Sequence, residues 1–194
     1  MILKGKGATM NCIAAVDASW GIGKGGQLLV SIPQDMKYFR QVTANKVLIM
    51  GRKTLESFPG GKPLRGRINI VISRNPHSLN EEFIRVREGE SISEAMKRVG
   101  PGQAIVLTSP AEALAAAALF DEEDVFVIGG GSIYREFLPY CRRAYITKID
   151  YRYSADTYFP NLDEDPSWIL ESEGEEQTAF DLIYTFTVYR NTKL

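Results

Sequence analysis

The sequence is poor in the residues from which metal centres and nucleophilic triads are built. It has one histidine, His77, and two cysteines, Cys12 and Cys141. A lone histidine excludes a histidine triad and a histidine-rich metal site. The two cysteines offer neither a disulfide framework nor metal-ligand spacing. Both are read as packing residues in a reducing compartment, so a cytoplasmic location is expected and no metal is. Strong charge of either sign is missing too: 23 basic against 24 acidic residues leave a net charge of −1. With no long basic run, a sequence-independent grip on nucleic acid is excluded as the main activity. No apolar stretch approaches the ~20 residues that cross a bilayer, so no membrane partner is expected. Residues 1–9 lack the continuous apolar segment of a signal peptide and are read as a flexible tail or an upstream start. Residues 10–191 then form one domain.

What is present is a series of short, unbroken apolar runs, the pattern of strands buried on both faces of a parallel sheet. They fall at residues 11–16, 47–50, 67–73, 104–107, 125–128 and 144–150. Capping patterns at Ser91/Glu94 and at Ser109/Glu112 mark two helices between them. Residues 168–170 and 180–190 are strand-like with no helix between, which predicts a closing antiparallel hairpin. The expected fold is α/β: one mostly parallel sheet with helices on both faces and that hairpin at the end.

The chemistry concentrates at the carboxyl ends of these strands. Gly129, Gly130 and Gly131 stand between a buried strand and a helix that carries Ile133 and Phe137. Free backbone amides there suit an anion such as a cofactor phosphate, although a tight packing turn uses the same letters. Gly21, Gly23 and Gly26 spell a dinucleotide fingerprint. No helix opens at the last glycine, because residues 27–32 run into Pro33, so the stretch reads as a glycine-rich lid or a surface loop. Pro33 starts a helix on which Asp35, Phe39 and Val42 share one face. A carboxylate against an apolar wall can grip a flat, nitrogen-rich ring, while a first-turn acid favoured by the helix dipole is the simpler account. Arg52, Lys53 and Arg74 follow two strands and suit a phosphate beyond the pyrophosphate; Arg67 could hold a substrate carboxylate.

In order, these segments resemble the dihydrofolate reductase family. The resemblance rests on residues 11–17 (NCIAAVD), 21–24 (GIGK), 32–39 (IPQDMKYF), 49–54 (IMGRKT), 63–67 (PLRGR), 72–74 (ISR), 128–134 (IGGGSIY), 145–149 (YITKI) and 156–160 (DTYFP). It implies reduction of dihydrofolate to tetrahydrofolate with NADPH, by a protein expected to be monomeric. It implies that Asp35 binds the pterin and supports its protonation. Met36, Phe39, Phe58 and Leu64 would line the substrate pocket, with Ile13, Ala15, Ile128 and Thr147 at its floor and Arg67 on the glutamate tail. Gly51, Arg52, Lys53, Thr54, Ser73 and Arg74 would hold the adenosine side of NADPH. Gly129, Gly130, Gly131, Ser132, Ile133 and Tyr134 would take its pyrophosphate and nicotinamide side. Ala15 and the lid, with Ile22, Gly23 and Leu28, would complete the cofactor site. Two departures stand out: residues 28–30 are Leu-Leu-Val where the family usually has Leu-Pro-Trp, and residues 79–103 look longer than the usual loop. A reductase of a riboflavin-pathway pyrimidine and a non-catalytic nucleotide-binding module share parts of this pattern. The first has no glutamate tail to engage Arg67, and the second has no use for an acid on an apolar helix face.

Overall fold

The computed structural model describes residues 7–194. The expected start of the chain at residues 1–6 lies outside the described residues, and Thr9, within the expected tail, donates its hydroxyl to Glu122 Oε2 at 2.6 Å. The chain runs β1 (Met10–Val16), β2 (Gly21–Lys24), β3 (Gln27–Leu28), α1 (Pro33–Val42), β4 (Val47–Gly51), α2 (Arg52–Glu56) and β5 (Ile68–Ile72). It continues with β6 (Ile84–Arg85), α3 (Ile92–Met96), β7 (Ala104–Leu107), α4 (Pro110–Ala117), β8 (Val125–Gly129) and α5 (Gly131–Phe137). It closes with β9 (Cys141–Ile149), β10 (Thr157–Tyr158), β11 (Trp168–Glu173), β12 (Gln177–Ala179) and β13 (Leu182–Asn191).

The main sheet has the order β11-β13-β9-β1-β8-β4-β5-β7-β6, with β12 paired to β13. From β9 across to β6 every pairing is parallel, and β13 joins antiparallel to β9, β11 and β12. The expected antiparallel pairing of the closing strands is present as β11 with β13, while Phe180 and Asp181, both at positive φ, form a tight turn between β12 and β13, so the last strand begins at Leu182 rather than at residue 180. Continuous apolar runs serve both faces because side chains alternate along a strand. Val47, Ile49, Ile70, Ile105, Leu107, Val125 and Val127 pack on the face covered by α3, α4 and α5. Leu48, Met50, Val71, Val106, Phe126 and Ile128 pack on the other, beneath α1 and α2. No residue of α1 is fully buried, so this helix lies over the sheet with Tyr38, Phe39 and Val42 turned inward and one edge open.

Two details differ from the sequence reading. The glycine-rich lid is a hairpin of β2 and β3, and β2 also pairs with β10, so a second small sheet replaces the expected glycine-rich loop. The long segment at residues 79–103 adds a marginal strand, β6, as well as the expected helix, α3, which packs on α4. Arg85 secures the approach to β6 by donating to the carbonyls of Pro76, Leu79, Asn80 and Phe83.

Candidate active site

The site follows from the order in which strands enter the sheet. After β1 the chain crosses α1 to β4, builds outward through β5 and β7, and returns to place β8 between β1 and β4. Side connections diverge at such a point, leaving a crevice at the carboxyl ends of the strands. A cleft of about 420 Å³ opens there. Ile13 and Ala15 of β1 and Ile128 of β8 line its floor, and Asp35, Met36 and Phe39 of α1 one wall. Thr54 and Phe58 stand opposite, and Ile22 and Leu28 of the lid reach over it. Leu28 is 65% exposed, an apolar side chain held against open space rather than against the core.

Asp35 is the acid of this cleft. Thr147 Oγ1, from the middle of β9, donates to Asp35 Oδ1 at 2.6 Å across 112 residues of sequence. Burial pushes the Asp35 carboxyl above its ordinary value of 3.8, and the bond from Thr147 works in the opposite direction. A carboxyl so placed has one oxygen bonded to the protein and acceptor capacity left for a ligand, with a proton affinity raised by its surroundings. Its charge is also felt by Tyr38, Tyr134 and Tyr184, whose hydroxyls are pushed to higher pKa chiefly by burial. Tyr134 donates its hydroxyl to the carbonyl of Ile13 at 2.7 Å, tying α5 to the cleft floor.

Thr147 and Leu64 support the pocket rather than form its surface. Leu64 exchanges backbone bonds with the buried Asn69 side chain, at 3.0 Å and 3.1 Å, and packs on the same core face as Phe58. Arg67 stands at the far end of α1: its Nε donates to the Arg65 carbonyl and its Nη1 to Thr43 Oγ1. Burial and the neighbouring Arg40 lower its pKa. Two cations at this end make a mutual repulsion that a ligand carboxylate would relieve.

The phosphate side is built from two helix starts set side by side. Met50 of β4 pairs with Gly129 of β8, so α2 and α5 begin at adjacent strand ends. Their capping residues, Gly51 and Gly130, carry no side chain to satisfy the first-turn amides. A Cβ at Gly130 would lie 3.6 Å from Thr54 Oγ1, one at Gly51 3.1 Å from Ile133 Cγ1, and one at Gly131 2.8 Å from Thr157 Cγ2. A side chain is thus excluded at Gly131 and crowded at Gly51, while Gly130 has ordinary room; helix starts without side-chain caps suit a pyrophosphate. Ser132 is exposed beside them. Lys53 and Arg74 are exposed next to this cradle, and Arg52 is paired with Glu56 at 2.7 Å. The Ser73 hydroxyl serves its own turn, donating to the Asn75 carbonyl. These residues fit a dinucleotide with an additional phosphate.

Several residues that the sequence reading did not assign to the site also line the cleft: Asp17, Gly21, Gln27, Leu29, Val30, Ser57 and Ile149. Val30 occupies the departure noted above and packs against Ile32 and Ile149, giving an apolar wall with no donor. The lid tip is tied down by Asp156 Oδ2, which accepts from the Gly25 amide at 2.8 Å. Asp17 and Ile149 end two of the segments that carry the resemblance, yet their places at the cleft depend on which strands become neighbours.

The family model described as dihydrofolate reductase matches residues 9–191. The chain is 34% identical to the dihydrofolate reductase of Bacillus subtilis over 180 residues, 91% of each chain. It is 34% identical to that of Heliothis virescens over 194 residues, 93% of this chain and 96% of the other. Among solved structures, dihydrofolate reductase from Enterococcus faecalis complexed with NADP(H) and RAB-propyl matches with a TM-score of 0.72 and 27% identity, covering 95% of this chain and 96% of that one. Fold and sequence agree over nearly the whole length, and the chain belongs to the dihydrofolate reductase family.

Proposed function

We propose that the protein reduces 7,8-dihydrofolate to 5,6,7,8-tetrahydrofolate with NADPH, and that Asp35 holds the pterin and supports its protonation. The observation that carries this reading is the Asp35–Thr147 pair: a carboxyl with raised proton affinity, oriented by one hydroxyl, on the wall of an apolar cleft. When bound, NADPH would supply the hydride for the imine carbon of the pterin, whose adjoining nitrogen would take a proton. The chain's own part is placement and field. The Asp35 carboxylate accepts from the ring's amino group and ring nitrogen, since Oδ1 keeps acceptor capacity beside the Thr147 bond, and this fixes the plane of the pterin. Ile13, Met36, Phe39, Phe58 and Ile128 cover that plane and keep water from the reacting face. Apolar cover favours a proton shared between carboxyl and ring over separated charges. Thr147 keeps Asp35 in one orientation. The amides at the starts of α2 and α5 hold the pyrophosphate, Lys53 and Arg74 take the additional phosphate, and Arg67 takes the substrate's carboxylate.

The same reading makes residues 10–191 one catalytic domain and the protein a cytoplasmic monomer. The two buried free thiols support the reducing compartment in this reading. Mixing purified protein with NADPH and dihydrofolate and following cofactor oxidation tests the activity. Asp35→Asn should lower the maximal rate by about two orders of magnitude or more while NADPH affinity is unchanged. Turnover at the parental rate in that variant would remove Asp35 from the mechanism.

A further inference from the structure

Asp17 is the one acidic residue among the described residues that is fully buried, at 3% exposure, and the chemistry above makes no use of it. Its two oxygens are divided between distant segments. Oδ1 accepts from the amides of Ser19 and Gly21, each at 2.8 Å, at the root of the lid. Oδ2 accepts from the amide of Tyr153 at 2.8 Å, on the connection from β9 to β10. A turn cap alone needs one acceptor, which asparagine or serine provides. Acceptors on both sides are a property of the carboxylate, since an asparagine would set its amide hydrogens against the Tyr153 N–H. Three charge-assisted bonds are also what makes an otherwise unpaired buried charge tolerable.

The packing around this carboxylate is matched to it. A Cβ at Gly21 would meet Ala155 Cβ at 2.7 Å and Asp17 Oδ1 at 3.0 Å, so the two segments close on each other only over glycine. Further ties repeat the same junction: the Ala18 amide donates to the Tyr151 carbonyl and the Phe159 amide to that of Trp20. Immediately beyond it, Gly21 and Ile22 enter the cleft. The placement of those two residues over the rings therefore depends on where the root of the lid is held.

We propose that Asp17 is a positioning residue for hydride transfer: by gripping the lid root and the β9–β10 connection at once, it sets how closely Gly21 and Ile22 press on the reacting rings. This inference rests on the dihydrofolate reductase reading. Misplacement of reacting groups by about 1 Å can cost on the order of a hundredfold in rate, whereas affinity is spread over the whole cleft. Asp17→Asn keeps the shape and the Oδ1 acceptor and loses the bond to Tyr153. Asp17→Ser keeps one acceptor and no span.

The test is single-turnover hydride transfer by stopped flow, scaled to the number of NADPH-binding molecules, for the parent and both variants. The expected result is a fall of about tenfold or more in Asp17→Asn, at least as large in Asp17→Ser, with dihydrofolate and NADPH dissociation constants within about threefold. The pH midpoint of the rate should stay in place, because Asp35 is untouched. Rates at the parental level overturn the assignment. So does a rate loss that tracks weakened ligand binding, or loss of the folded state in both variants, which would make Asp17 a determinant of the fold. Should the parent fail to oxidise NADPH with dihydrofolate, the functional reading falls first, and the two failures are thereby told apart.

Discussion

Thr147→Val separates the chemistry of Asp35 from the shape of its surroundings. Valine is close to threonine in volume and is at home in the interior of β9, so the sheet and the cleft floor keep their form. What disappears is the one hydrogen bond of the Thr147 hydroxyl, 2.6 Å to Asp35 Oδ1. A hydrogen bond to a charged group contributes about 1.5–3 kcal/mol. The bond favours the ionised carboxyl, so its loss raises the proton affinity of the site, and a water in the vacated space would recover part of the change. Reduction adds a proton as well as a hydride, so the rate falls as pH rises through the apparent pKa shared by Asp35 and the bound ring. The alkaline limb of the single-turnover rate should therefore move to higher pH in Thr147→Val. A midpoint that stays in place, or moves to lower pH, would refute the claim that Thr147 tunes the proton affinity of Asp35.

Two further outcomes follow from the same geometry. Asp35 has a folded-state pKa raised above 3.8, so as pH climbs from about that value the unfolded chain releases its proton first and the folded protein loses stability until its own carboxyl ionises. Asp35→Asn, which removes this burden, should match the parent in thermal denaturation at the acid end and exceed it at neutral pH; a variant less stable than the parent at pH 7 would contradict this. Gly131→Ala puts a methyl group 2.8 Å from Thr157 Cγ2, forcing β10 and the phosphate turn apart. NADPH affinity, followed by quenching of protein fluorescence, should weaken by about tenfold or more, and unchanged affinity would mean that the turn does not hold the cofactor.

Much of this protein is legible along the chain because the relevant physics is local. Runs such as residues 104–107 and 125–128 are too apolar and too short for anything except strands inside a covered sheet. Pro33 in a first helical turn, and Asp35 sharing a face with Phe39 and Val42, follow from helical periodicity alone. So does the placement of Gly129 to Gly131 between a strand and a helix. What tertiary structure decided is which of these local pieces meet. The bond from Thr147 to Asp35, and with it the proton affinity of the acid, exists because α1 lies across β1 and β9. The cleft exists because β8, late in sequence, enters between β1 and β4, and no local signal encodes that order. The lid hairpin became part of a three-stranded sheet because β10 supplied a partner more than a hundred residues away. Asp17 gained its span for the same reason, since one of its two acceptors is met only when the β9–β10 connection arrives beside it. Periodicity and chirality act over a few residues, whereas hydrogen-bond partners and solvent exclusion depend on the neighbours that the whole sheet brings together.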